Sequence, residues 1–196
     1  MSKNVQITII LALLFMGGAW YLSFSKENGS PPLRADTALA AKFDMLSKNG
    51  NSSCSSGFKD SIANMPDDAR LQGSCCSAMS MHRYAEQVEG LQKFKSIASQ
   101  NIAEIPDDPY DIDAKLAKQL IIYYDLELTT EEQQAYDYAM LNSNEKGPCC
   151  CKCWRWYVYG GLGKYLIKNH GFTGEQITEL WNLSDGCGGD NEHQHS

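Results

Sequence analysis

The chain has 196 residues, 43% of them hydrophobic and 21% charged. That is enough chain and enough apolar content for one domain with its own core, and it excludes an intrinsically disordered protein. The formal charge is −7 with Lys3 the only charged side chain before Lys26, so the rest carries −8, a balance that excludes nucleic acid as a partner because phosphate binding needs a basic face.

Val5 to Phe24 is a run of 20 mostly apolar positions, with Lys3 before it and Lys26-Glu27-Asn28-Gly29 after it. At about 1.5 Å per residue such a helix spans a bilayer core. The run therefore predicts a single transmembrane anchor over 5–24, with residues 1–4 as a cytoplasmic tip and Trp20 and Tyr21 near the outer interface. A cleaved signal peptide is the competing reading, with Gly17 and Ala19 before the cut. Either way the remainder is exported, and the predicted location is the cell membrane, single-pass, with the C-terminal domain outside the cytoplasm. Residues 25–32, polar and ending in Pro31-Pro32, form a linker. The ectodomain is predicted over 33–189, followed by a polar tail over 190–196.

Leu39, Phe43 and Leu46 put an apolar stripe on a helix over Ala35–Lys48. Phe58, Ile62 and Met65 have helical spacing, and Pro66 closes the segment. A longer helix is expected from about Ser74 to Ser99, which would place Cys75, Met79, His82 and Glu86 on one face. Asp111 is expected to cap a helix running to Tyr124. Thr129 with Glu132, and Thr173 with Gln176, form capping boxes for helices reaching Asn142 and Asn182. Between them a helix from Cys153 to Asn169 carries Trp154, Val158, Leu162, Tyr165 and Leu166 inward. Its Gly160, Gly161 and Gly163 predict close approach of a neighbouring backbone, since each glycine costs about 1 kcal/mol against alanine in a helix. No segment alternates as a strand does. The expected fold is all-α, about six helices in one compact domain with cysteine-bearing loops.

Eight cysteines are the chain's chemical feature: Cys54, Cys75-Cys76, Cys149-Cys150-Cys151, Cys153 and Cys187. Thiolate is both the soft metal ligand and the nucleophile among side chains. Alternate residues of an extended strand point the same way, so Cys149, Cys151 and Cys153 would present three sulfurs together. Such an arrangement suits copper, mercury or cadmium at least as well as zinc, whose structural sites usually show paired C-x₂-C knuckles. The candidate ligands are Cys149, Cys150, Cys151, Cys153, Cys75, Cys76 and Cys187, joined by Met79 and His82, whose commoner role on such a face is core filling. Lys152 and Arg155 flank the thiols and would lower their pKa. His193 and His195 are spaced to chelate on a tail.

The run Pro148-Cys149-Cys150-Cys151-Lys152-Cys153 resembles the Pro-Cys-Tyr-Cys-Gly-Cys signature of the bacterial PCYCGC-motif family of uncharacterised exported proteins, with Cys150 and Lys152 departing from it. The resemblance covers these positions alone and implies an exported, metal-binding protein.

Three functions are compatible with these residues. The first is a membrane-tethered extracytoplasmic protein that sequesters or delivers a soft metal ion. The second is a disulfide-stapled domain that meets an envelope protein and holds no metal, because an even cysteine count in an exported chain also reads as a disulfide framework. The third is a thiol-disulfide exchange enzyme using Cys151 and Cys153, which lacks the C-x-x-C spacing of such enzymes.

Overall fold

The computed structural model describes residues 34–50, 58–97 and 102–186. The chain divides into two compact units, 1–37 and 38–196. Apart from the first turn of α1, every described element belongs to the second unit. The order is α1 (Arg34–Asn49), α2 (Phe58–Ala63), β1 (Arg70–Gln72), α3 (Met81–Ile97), β2 (Asp111–Asp113), α4 (Ala114–Tyr124), α5 (Thr130–Asn142), α6 (Trp154–His170) and α7 (Gly174–Ser184). The described residues are thus mostly helical, as expected, with two corrections: there are seven helices, and β1 and β2 pair as a small antiparallel sheet. The run over 5–24, the linker, Cys54, Cys187 and the histidine-bearing tail lie outside the described residues. Among the described residues no helix is long and apolar enough to cross a membrane.

Both capping boxes form as their sequences dictate. Thr129 Oγ1 accepts from the Glu132 amide and Glu132 accepts from the Thr129 amide, starting α5; Thr173 and Gln176 do the same for α7. The cap of α4 falls two residues later than expected. Asp113 Oδ1 accepts from the Leu116 amide at 2.7 Å, because Asp111 is held in β2 opposite Gln72. Leu71 and Ile112, paired at the middle of the two strands, are each 1% exposed and anchor the sheet on the core. Three residues per strand are too few for alternation to show in the sequence.

The main core gathers Leu91, Leu120, Val158, Leu162, Leu166, Ile177, Leu180, Trp154 and Trp181 from α3, α4, α6 and α7. At Gly161 the backbone of α4 comes so close that a Cβ would stand 1.9 Å from the Leu120 carbonyl oxygen. The predicted close approach is therefore that of α4 to α6. A second apolar group, Leu46, Tyr84, Val88 and Tyr110, joins α1 to α3, with Leu39, Phe43 and Met79 packed against it.

Beside this second group Asp111 accepts hydrogen bonds from Arg70 Nε at 2.5 Å and Gln72 at 3.1 Å and pairs with Lys42 at 3.1 Å. Burial works against its charge, but the bonds from Arg70, Lys42 and Gln72 outweigh burial and hold its pKa below the ordinary carboxylate value. A depressed folded-state pKa adds stability that is present above the unfolded aspartate pKa of about 3.9 and is lost as pH falls through the folded value. Denaturant midpoints followed downward from about pH 4 should therefore fall more steeply for wild type than for Asp111→Asn. Parallel curves would remove Asp111 from that role.

Candidate metal centre

Two loops bring the cysteines together, and each is set by its glycine. After β1 the chain turns off the sheet at Gly73, whose φ of +81° favours glycine. The Gly73 amide donates to the Tyr110 carbonyl at 2.9 Å, and the Cys75 amide donates to the Gly186 carbonyl, just past α7, at 3.0 Å. Ser74 Oγ bonds the Ser77 carbonyl, so its side chain serves a local turn instead of a helix. The expected helix from Ser74 is corrected on this point: α3 begins only at Met81. The second loop joins α5 to α6. Gly147, with φ of +151°, donates its amide to Ser143 Oγ at 2.8 Å, and the chain then bends through Cys149–Cys153 until Cys153 becomes the N-cap of α6.

Among the described residues, six sulfurs meet between these loops. Cys75 Sγ lies 3.5 Å from Cys76 Sγ, 3.5 Å from Cys149 Sγ and 3.7 Å from Cys151 Sγ. Cys76 Sγ lies 3.0 Å from Cys150 Sγ and 3.5 Å from Cys151 Sγ, and Cys149 Sγ is 3.7 Å from Cys153 Sγ. No separation among these is an S–S bond, which measures about 2.05 Å. Four sulfurs about 2.3 Å from a tetrahedral zinc ion stand about 3.8 Å from one another, close to most of these spacings. Two quartets satisfy the condition that all ligand atoms lie within 4.8 Å: Cys75, Cys149, Cys151 and Cys153, and Cys75, Cys76, Cys150 and Cys151. Cys149, Cys151 and Cys153 are thus in one group, as the alternation suggested, although the backbone there is a series of bends and not a strand.

A helix N-terminus and a buried cation lie beneath the thiols. The positive end of α6 begins at Trp154, directly after Cys153. Arg155 is fully buried, its guanidinium donating to the Pro109 carbonyl and, at 2.7 Å, to the Gly73 carbonyl. It lies between two rings, 4.7 Å from the Tyr110 centroid and 4.4 Å from that of Trp154. Burial opposes its charge, yet the surrounding Tyr159, Tyr110, Cys149 and Cys75 groups more than offset this and keep it a cation. Its electrostatic pull lowers the Cys153 pKa, but the hydrogen-bonding contact with Cys149 raises it more, and the thiol is pushed up to about 11. Cys75 is pushed far up, first by contact with Cys149, Cys150 and Cys153 and then by burial. Thiol groups packed this closely are within range to hold a metal ion, whose binding releases their protons.

A buried polar network runs beside the loop that follows β1. Tyr110 Oη donates to Gln87 Oε1 at 2.6 Å, Gln87 Nε2 donates to the Asp185 carbonyl at 3.1 Å, and Arg83 reaches the Asp185 carboxylate at 2.9 Å. It ties α3 and the end of α7 to the residue before β2. None of these partners was evident from sequence, since they lie up to 102 residues apart.

Of the other predicted ligands, Met79 packs in the second apolar group, and His82 is 81% exposed and faces Glu86 at 3.3 Å. The shared helical face expected for Cys75, Met79 and His82 does not exist, because Cys75 and Met79 precede α3. Lys152 is exposed and lies over the Trp156 ring, 5.9 Å from its centroid. Cys187 lies outside the described residues. A surface cleft of about 240 Å³ lined by Lys42, Arg70, Asp108 and Asp111 is bridged by its own ion pairs. No known protein family, characterised protein or solved structure matches this chain.

Proposed function

We propose that this protein binds a soft metal ion through cysteine thiolates and serves to sequester or deliver it. The observation that carries the reading is the convergence of Cys75, Cys149, Cys151 and Cys153, all four sulfurs within 4.8 Å of one another. A disulfide satisfies one sulfur with one other, whereas Cys75 faces Cys76, Cys149 and Cys151 alike. A single ion bonds every member of such a group at once. Zinc fits the tetrahedral spacing, and copper and mercury share the preference for thiolate. On this reading the apolar run over 5–24 tethers the domain outside the cytoplasm, where it meets ions at the cell surface.

Thiol-disulfide exchange is less well supported. Cys151 and Cys153, the attacking and resolving pair of that scheme, lack the C-x-x-C spacing of such enzymes, and both belong to one crowded quartet with Cys75 and Cys149.

The test is metal retention with a stability readout. The full chain, prepared reduced and stripped by chelator, is expected to keep Zn(II) through gel filtration. Its unfolding midpoint should rise by roughly 8–16 °C at a thousandfold excess of free ion over Kd, corresponding to about 4 kcal/mol. Cys149→Ser should lose most of that rise. A chain that retains no metal, with thiols that oxidise pairwise to disulfides of unchanged stability, would sink the reading and favour an interaction domain.

A further inference from the structure

Among the described residues the centre gathers six sulfurs, two more than one tetrahedral ion can use and two fewer than two separate ions need. Edge sharing reconciles the count. The two quartets have Cys75 and Cys151 in common, and these sulfurs stand 3.7 Å apart, the length of one edge of a tetrahedron with metal–sulfur bonds of about 2.3 Å. Cys149 and Cys153 complete one tetrahedron, and Cys76 and Cys150 complete the other. We propose that the centre holds two divalent, thiophilic ions of the zinc or cadmium class, bridged by Cys75 and Cys151, with an inner ion that stays and an outer ion that exchanges.

This rests on the metal-binding reading above and goes beyond it. A thiolate sulfur has lone pairs enough to bridge two ions. Charge agrees as well: two divalent ions with six thiolates leave the same net charge of minus two as one such ion with four. Arg155, buried and acting on Cys75, Cys149 and Cys153, lies on the inner side.

The difference between the two positions is access. The terminal sulfurs of the inner tetrahedron, on Cys149 and Cys153, belong to residues that are 0% exposed. Those of the outer one belong to Cys76, which is exposed, and Cys150, which is half-buried. An incoming ligand, whether a chelator or a partner's thiol, reaches the outer ion directly, whereas the inner ion is released only if the loops move. The outer position is the one that could hand an ion on, and the inner ion keeps the bridging sulfurs in place for it.

The full chain, reduced and metal-free, is loaded anaerobically with Cd(II), freed of excess and weighed by native mass spectrometry beside the double variant Cys76→Ser/Cys150→Ser. Both changes lie at the accessible end and preserve side-chain size, so the fold survives them. Two ions in wild type and one in the variant are expected, with chelator removing the first wild-type ion at least about tenfold faster than the second. One ion in both chains would overturn the two-ion centre while leaving the metal-binding function intact. No ion in either would overturn both. Two ions in both would show that Cys76 and Cys150 are not ligands and also overturn the proposal. ¹¹³Cd NMR of the wild type supplies an independent readout: two resonances coupled through the shared sulfurs are expected, and a single or uncoupled pattern would count against bridging.

Discussion

Gly161→Ala is expected to destabilise the fold by about 3 kcal/mol or more, the upper end of what overpacking costs. The added Cβ would stand 1.9 Å from the Leu120 carbonyl oxygen and 3.1 Å from the Tyr124 amide nitrogen. Both belong to the backbone of α4, which cannot rotate away as a side chain can, so α4 and α6 must separate along their main contact. The gain of about 1 kcal/mol in helix propensity opposes this and is too small to win. For a domain of this size the unfolding midpoint should fall by roughly 6–12 °C. Gly90→Ala is the control, since its Cβ meets only the movable end of the Leu183 side chain. Equal shifts for the two variants would show that the α4–α6 approach is not tight.

Arg155→Met should damage stability and metal binding together. The guanidinium supplies the hydrogen bonds of the Pro109 and Gly73 carbonyls, both drawn into the interior at the base of the cysteine loops. Losing both bonds from the charged guanidinium, with the Pro109 carbonyl still accepting from Tyr159 Oη at 3.3 Å, costs about 3 kcal/mol. The same substitution removes a cation that faces Cys75, Cys149 and Cys153, so metal affinity should drop by about tenfold or more, the scale seen when support behind metal ligands is lost. Arg155→Lys separates the two effects: it keeps the charge but lacks the planar fork that serves two carbonyls. Affinity should therefore recover more than stability in that variant. A Met variant that binds Zn(II) as tightly as wild type would reduce Arg155 to a purely structural residue.

Much of the fold was legible in sequence wherever the signal is local. The capping boxes at Thr129 and Thr173 involve residues three apart, and both form. In the expected stripe Trp154, Val158, Leu162 and Leu166 repeat every four residues and are buried, while Tyr165 is half-buried. The glycines of α6 announced a close neighbour without identifying it. The failures occur where a short polar side chain had another partner, close in sequence for Ser74 and distant for Asp111. Ser74 turns the chain at Cys75 instead of starting a helix, which removes Met79 and His82 from the thiols. Asp111 pairs with Arg70 and Lys42 instead of capping α4, and the cap passes to Asp113.

By itself the sequence determined that this is a mostly helical, acidic domain whose chemistry is cysteine chemistry, because helix periodicity, capping and residue type are properties of neighbouring positions. It also grouped Cys149, Cys151 and Cys153. Only the tertiary structure decided that Cys75 and Cys76 face them across 74 residues of chain, that Arg155 is buried beneath, and that Cys75 and Cys151 belong to both quartets. Those relations depend on where β1, α6 and the end of α7 meet, and that meeting is set by the packing of Gly161 on α4 and by hydrogen bonds such as Cys75 to Gly186. Contacts of this range leave no periodic trace, since either partner could move along the chain without altering any local pattern.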